Sequence, residues 1–210
     1  QFADVTNTAG LTMPTIRLTA WGNGIVDFNN DGWKDMFAAC GAILDNAMEI
    51  EGNPYPLPNL LLRNLGNGQF ADVSKASGVA NPLPHRGAAF GDFNNDGRVD
   101  IVTTSLNAKP ELWMNRSPNS QHWLTVKLIG SKSNRDGLGA RLQITAGKLT
   151  QSNHATTSVG YSSASDKRVH FGLGASAMID RLDITWPSGA QQTLSKIKAN
   201  QVLVVKEGAQ

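Results

Sequence analysis

The sequence predicts an all-β protein, with incomplete propeller-like blades in its first half and an antiparallel β-sandwich or barrel in its second. Three observations predict this. First, the front of the chain is duplicated: "QFADVTNTAGL" at 1–11 returns as "QFADVSKASGV" at 69–79, and "VDFNNDGWKDMF" at 26–37 returns as "GDFNNDGRVDIV" at 91–102. Second, the apolar runs are short and divided by Gly, Asn and Pro, the punctuation of strands. Third, from residue 122 onward apolar residues alternate with period two.

The repeat defines the first region. Its first anchors lie 68 residues apart and its second anchors 65 apart, so a three-residue length change separates the copies. Duplication at this period implies stacked or radially arranged units. "QFADV", "NLLLRN", "GAAFGDF" and "VDIVTTSL" supply four short strands per roughly 60 residues, which fits a propeller blade. "NLLLRNLGNG" precedes the second "QFADV" but not the first, and "ELWMNR" at 111–116 matches "LLLRN" with no third "QFADV" after it. The chain therefore starts inside one blade and stops inside another. Propellers close with about four or more blades, so either further blades lie upstream of Gln1, the favoured expectation, or the partial sheets pack on something else. A first residue that is not Met points the same way, to a processed or excised chain.

Each copy carries the nonapeptide pattern D-x-N-x-D-G-x-x-D. Asp27, Asn29, Asp31 and Asp35 make one set, and Asp92, Asn94, Asp96 and Asp100 the other. Oxygen side chains at positions 1, 3, 5 and 9, with Gly at 6 for the sharp turn, are how a short loop wraps a hard cation. The backbone carbonyl at position 7, of Trp33 or Arg98, would add a ligand. Three carboxylates packed this closely repel one another without a cation. Calcium suits such a loop better than magnesium, which demands tighter octahedral geometry, so two Ca²⁺ sites are expected. Position 12 is Ala38 or Thr103 where an EF-hand has Glu, and the flanks are strands, so the loop belongs to a β-hairpin. The alternative is a plain Asx-rich turn, which two matched copies make a poor account.

With "AFGDFNNDGRVDIV" and "LLLRNLGNGQFADV" around it, the loop resembles the FG-GAP/VCBS repeat over about residues 1–116. That resemblance implies propeller blades with calcium loops on hairpins at one face, as in integrin α-chains and many secreted bacterial proteins.

"SPNSQ" at 117–121 is a plausible linker, and 122–210 form the second region. "HWLTVKLIG" places Leu124, Val126 and Leu128 on one face and Trp123, Thr125, Lys127 and Ile129 on the other. "ARLQITAG", "KRVHFGLG" and "DRLDITW" each align apolar residues on one face, and "QVLVV" ends the set. The signatures "GSKSNRDGLGARLQITAG", "RVHFGLG", "IDRLDITWPSG" and "ANQVL" resemble the ASPIC/UnbV domain, which follows FG-GAP repeats in the cartilage acidic protein family.

Composition narrows the function. A net charge of +2 without a long basic run gives no argument for nucleic acid, and no apolar stretch is long enough to span a bilayer. The single cysteine, Cys40, rules out an intrachain disulfide and a multi-cysteine zinc site; a buried apolar role suits it. His85, His122, His154 and His170 show no ligand spacing, and no nucleophile elbow or dinucleotide loop is present. Asn115-Arg-Ser117 is a glycosylation sequon. Trp33, Trp113 and Trp186 sit in strands or strand flanks, where core packing is the usual role. The expectation is a calcium-binding recognition or adhesion module without catalysis of its own. It would lie outside the cell or in the cell envelope, with a protein or glycan of a cell surface or matrix as partner. The alternatives are the end of a larger secreted enzyme whose catalytic residues lie upstream, and a structural spacer.

Overall fold

A computed structural model describes residues 1–118 and 120–208; Asn119, in the expected linker, lies outside the described residues. A single helical turn, α1 (Thr12–Thr15), precedes β1 (Ala20–Val26) and β2 (Asp35–Cys40). The short helix α2 (Ala47–Glu51), β3 (Leu57–Pro58), β4 (Leu60–Asn64) and β5 (Phe70–Asp72) follow. Strands β1-β2-β4-β5 form one antiparallel four-stranded sheet. After β6 (Pro82–Leu83), which pairs with β3, come β7 (His85–Gly91), β8 (Asp100–Ser105) and β9 (Glu111–Trp113). These last three form a second antiparallel sheet in the order β7-β8-β9.

The second sheet is thus a blade of three strands where the first has four. The missing strand is the one the sequence lacks, a "QFADV" after "ELWMNR". The "QFADV" at 1–5 forms no strand, although its second copy supplies β5. The cause is pairing: β5 has β4 beside it, and residues 1–5 have no such neighbour.

The blades meet through their first strands. A Cβ at Gly22 would lie 2.3 Å from the Ala88 backbone nitrogen, and one at Gly24 would lie 2.3 Å from the Phe90 ring. Glycine therefore lets β1 approach β7 at near backbone contact. Phe90 fills the space so made, with Phe28 and Phe37 edge-on to it at 6.1 and 5.8 Å. These three rings, with Ala39, Ala88, Val99 and Ile101, form the core between the blades.

The second region contains β10 (His122–Ile129), β11 (Arg141–Ala146), β12 (Leu149–His154), β13 (Val169–Gly174), β14 (Met178–Thr185), β15 (Gln191–Lys198) and β16 (Gln201–Lys206). Sheet β13-β10-β16 packs on sheet β12-β11-β14-β15. Leu124, Val126, Leu142, Ile144, Phe171, Leu182, Ile184 and Trp186 fill the space between them, on the faces expected from the alternation. One pairing departs from the antiparallel expectation: β16 runs parallel to β10, from Leu124↔Gln201 to Ile129↔Lys206. The chain reaches β16 from β15, in the opposite sheet, and a strand that arrives from another sheet can enter in either direction.

The last strand is closed by a carboxylate. Glu207 is buried and accepts the backbone N–H groups of Ser131, Lys132 and Ser133 at 2.7, 2.7 and 2.8 Å, and the Ser188 and Ser133 hydroxyls at 2.5 and 2.8 Å. Burial alone would raise its pKa, but the hydrogen bonds from Ser133, Ser188 and Ser131 win and hold it well below the usual carboxylate range. The fold therefore binds this proton less readily than the unfolded chain does. The resulting stability is complete above about pH 4.5 and is lost as pH falls toward the folded pKa. Glu207→Gln is expected to lower the melting temperature at pH 7 and to flatten its decline between pH 4.5 and pH 2, as measured by thermal unfolding of both chains across that range.

Candidate metal centre

The two acidic loops join β1 to β2 and β7 to β8, and both turn through a left-handed Asn and a left-handed Gly: Asn30 and Gly32 in the first, Asn95 and Gly97 in the second. The carboxylate at position 1 tethers each turn, Asp27 Oδ2 accepting Gly32 N–H and Asp92 Oδ2 accepting Gly97 N–H, both at 2.8 Å. The position-5 carboxylates, Asp31 and Asp96, accept the N–H of Trp33 and Arg98 and the side-chain amides of Asn29 and Asn94. Among the described residues no three His, Cys, Asp or Glu side chains converge as a ready metal cage.

Position 9 has a second job. Asp35 accepts Phe28 N–H at 3.1 Å and Asn64 N–H at 2.9 Å, and Asp100 accepts Phe93 N–H at 3.0 Å and Asn115 N–H at 2.8 Å. Each carboxylate ties the start of its loop to the end of the third strand of its blade. Asn64 and Asn115 answer with their own amides: Asn64 donates to Lys34 O, and Asn115 to Val99 O and also to Phe28 O in the neighbouring blade. Sequence reasoning missed this pair, although the repeat alignment places an Asn at the same step of both "LLLRN" and "LWMN". The sequon amide is thus spent inside the fold.

The loops differ in charge compensation. In the second, Arg98 donates to Asp96 Oδ2 at 2.5 Å and also senses Asp92 and Asp100, and its hydrogen bond lowers the Asp96 pKa. In the first, Trp33 takes that position and is half exposed rather than part of the core. Asp27 is 5 % exposed, and its Oδ1 has no hydrogen-bond partner. Burial pushes the Asp27 carboxyl up to about 7, and the charges of Asp31 and Asp35 push the same way against the Gly32 N–H. Burial likewise raises Asp35 to about 6. An orphaned buried carboxylate oxygen among mutually repelling carboxylates, in an all-oxygen donor set, fits a hard divalent cation. Asp27, Asn29, Asp31 and Asp35, with the Trp33 carbonyl, are the residues that would hold it. Asp92, Asn94, Asp96, Asp100 and the Arg98 carbonyl form the equivalent set, with Arg98 competing for the same charge.

The C-terminal sheet sits directly on these loops. His170 Nε2 donates to Asn30 Oδ1 at 2.7 Å while its Nδ1 accepts from Thr125 Oγ1 at 3.0 Å, and the Asn30 amide donates to Gly97 O at 2.9 Å. Burial and the nearby Arg168 charge press the His170 pKa down to about 4, in keeping with a neutral ring. Gly174 N–H bonds Asn30 O at 2.8 Å, and a Cβ at Gly172 would lie 2.0 Å from Asp27 Oδ2. Trp123 lies so close to Gly97 that a Cβ there would meet its ring at 1.9 Å. Arg168 donates to Asp92 O and to Asn95 Oδ1 at 2.8 and 2.6 Å. Farther along, Ser163 and Ser165 hydroxyls accept the N–H groups of Ala88 and Phe90 on β7. A cleft of about 510 Å³ remains between blades and sheet, lined among others by Asn23, Asp27, Lys34, Asn153, His154 and His170.

The remaining histidines perform no shared chemistry. His85 is fully buried, bonded to Cys40 O, Asn59 and Glu111, and braces the two blades. His122 meets Asn200, and His154 is exposed. Cys40 is buried, and burial pushes its thiol up to about 12, so it is an inert core residue.

Propeller-type blades whose acidic hairpins are covered by a β-sandwich define a repeat protein with an appended β-domain. Residues 27–103 match the FG-GAP-like repeat and residues 130–210 match the ASPIC and UnbV domain, and the chain carries both. Over 65 residues it is 43% identical to cartilage acidic protein 1 of Mus musculus, 42% to that of Homo sapiens and 40% to that of Xenopus tropicalis. Those 65 residues are 30% of this chain and about 10% of the length of these relatives.

In chelator, the fold keeps the Asp27 proton to about pH 7, whereas the unfolded chain releases it near 3.8. The folded state then binds more protons between those values, and stability falls as pH rises across the window. Asp27→Asn is expected to flatten that fall and to melt several degrees higher than the wild type at pH 8 in EGTA, as read by thermal unfolding.

Proposed function

We propose that the chain is a calcium-stabilised recognition module without catalysis of its own, in which the ion fixes the acidic loops that the C-terminal domain rests on. The single observation that carries this reading is the orphaned, buried Asp27 Oδ1, on a carboxylate that feels the charges of Asp31 and Asp35 and whose other oxygen lies against Gly172. The first loop is the stronger of the two proposed sites, because Arg98 already neutralises part of the second. The ion would supply fixed positive charge and rigidity. The chain's own part is to aim Asn30 at His170 and Gly174, which keeps the two regions in register.

A role in recognition outside the cell is supported by the relatives, whose printed name places them with cartilage. Among the described residues no helix is long and apolar enough to cross a membrane. The cleft between blades and sheet, with the amides of Asn23 and Asn153, His154 and Lys34 at its walls, is where we place a polar partner group such as a glycan or a protein side chain at a cell surface or matrix.

Calorimetric titration of chelated protein with Ca²⁺ is expected to show two sites of unequal affinity. Asp31→Ala should abolish the tighter one and Asp96→Ala the weaker. Hydrogen exchange in EGTA should speed up in both loops and along β13, while β11 and β14, whose Leu142, Ile144, Leu182 and Ile184 are buried away from the loops, stay protected. Zinc binding without calcium binding, or chelation with no effect on exchange, would refute the reading.

A further inference from the structure

We propose that the cleft between blades and sheet continues over the outer face of the sandwich as one seat for an acidic polysaccharide, with Lys34 and Arg141 taking carboxylates on separate sugar units. This narrows the recognition role proposed above and rests on it. The cleft of about 510 Å³ has a neighbour of about 710 Å³ on the exposed face of β12, β11 and β14, and Asn153 and His154 line both. The two hollows therefore meet at the end of β12 and share a wall.

The strand pleat builds the second hollow. Alternation turns Leu142 and Ile144 into the core and leaves Arg141 and Gln143 on the outer face. The registers set His154 and Thr185 on either side of Arg141, and Ser152 and Asp183 on either side of Gln143. Neighbouring strands lie about 4.8 Å apart, so a linear ligand that crosses the three strands meets a polar side chain on each. Apart from the buried Leu142, this hollow is lined by glycine and polar residues. A peptide side chain finds no apolar well there, whereas amides and hydroxyls, which both donate and accept, suit a hydroxyl-rich chain.

Charge selects an acidic chain. Among the described residues no carboxylate is in ion-pair contact with Arg141 or with the half-buried Lys34. The carboxylates that share the hollows with them are already engaged. Asp183 accepts from Arg181 and Thr193, Asp166 from Arg168, and Asp92 from the N–H groups of Asp96 and Gly97. Asp27, whose charge Lys34 feels, is the carboxylate that the proposed ion would offset. An ammonium and a guanidinium thus stand in one connected polar trough without a counter-charge. That is the complement of a polymer carrying carboxylates at intervals.

The probe is hyaluronan octasaccharide, whose acidic groups are all carboxylates. Calorimetry of the chain in excess calcium is expected to show binding of this probe, and none of the neutral maltooctaose or of poly-glutamate of similar length. Lys34→Gln and Arg141→Gln should each weaken binding about tenfold, the loss of one charge-assisted hydrogen bond. Lys75→Gln, at an exposed position outside both hollows, should leave it unchanged. Arg141 is exposed on the sheet face, so Arg141→Gln folds as the wild type does even if Lys34→Gln disturbs its loop. In EGTA, with Asp27 uncompensated, the octasaccharide should bind more weakly. Calcium binding without octasaccharide binding overturns the seat and leaves the ion in place; equal octasaccharide binding in calcium and in EGTA sinks the part given to the ion and leaves the seat. Sensitivity to Lys34→Gln but not to Arg141→Gln overturns the continuous seat, as does equal binding of poly-glutamate, which would make the trough a site for acidic peptide.

Discussion

A buried carboxylate with one oxygen left without a hydrogen-bond partner governs much of this molecule. Asp27 lies where the first blade, its acidic loop and the C-terminal sheet converge, buried and close against Gly172. Burying a charge this way is costly unless something offsets it. The three offsets within reach are a retained proton, a bound cation, or withdrawal of the covering sheet. The raised pKa is the first of these, and the composition of the loop favours the second. The third is not taken: glycine at 172 and the main-chain contact at Gly174 keep the sheet seated. A surface that must seat itself over a charged loop does so most closely where it has no side chains.

The two loops have near-identical sequences and opposite solutions. They differ at position 7, Trp33 against Arg98, and at position 8, Lys34 against Val99: a guanidinium bonds a carboxylate of the second loop, while the positive charge near Asp27 in the first is the Lys34 ammonium. An internal guanidinium is always present and needs no concentration of ion, but it cannot reach all the oxygens a sphere of ligands would. The loop without it carries the unsatisfied oxygen, and it is also the loop that meets His170 and Gly174. The loop where we propose the ion is therefore also the one that holds the His170 and Gly174 contacts.

Much of the architecture was legible because it is periodic. The duplicated "DFNNDG" and "QFADV" located both blades and forecast the strand that the second lacks, and alternation placed Leu124, Val126, Phe171 and Ile184 in the sandwich core. What stayed hidden was set by contacts between distant segments. The period-two pattern assigns Trp123, Thr125 and His170 to a face without saying what covers it, and the blades cover it. The glycines of "HFGLG" were a visible hint, since Gly inside a strand often marks close backbone approach, but the sequence does not say which backbone approaches. Parallel entry of β16 leaves no local trace either, because direction depends on where the chain has come from.

The Asn115 side chain carries one more consequence. Its amide holds the Phe28 and Val99 carbonyls together across the blade boundary, and its oxygen accepts both the N–H and the hydroxyl of Ser117. The same Asn-Arg-Ser triplet matches the acceptor pattern for N-linked sugar. In a host that glycosylates, the transferase and the folding reaction would compete for one nitrogen. A sugar added to the nascent polypeptide would keep the blades from latching, and a latched pair of blades would leave nothing to modify. Recombinant material from such a host would divide into two populations according to which event came first.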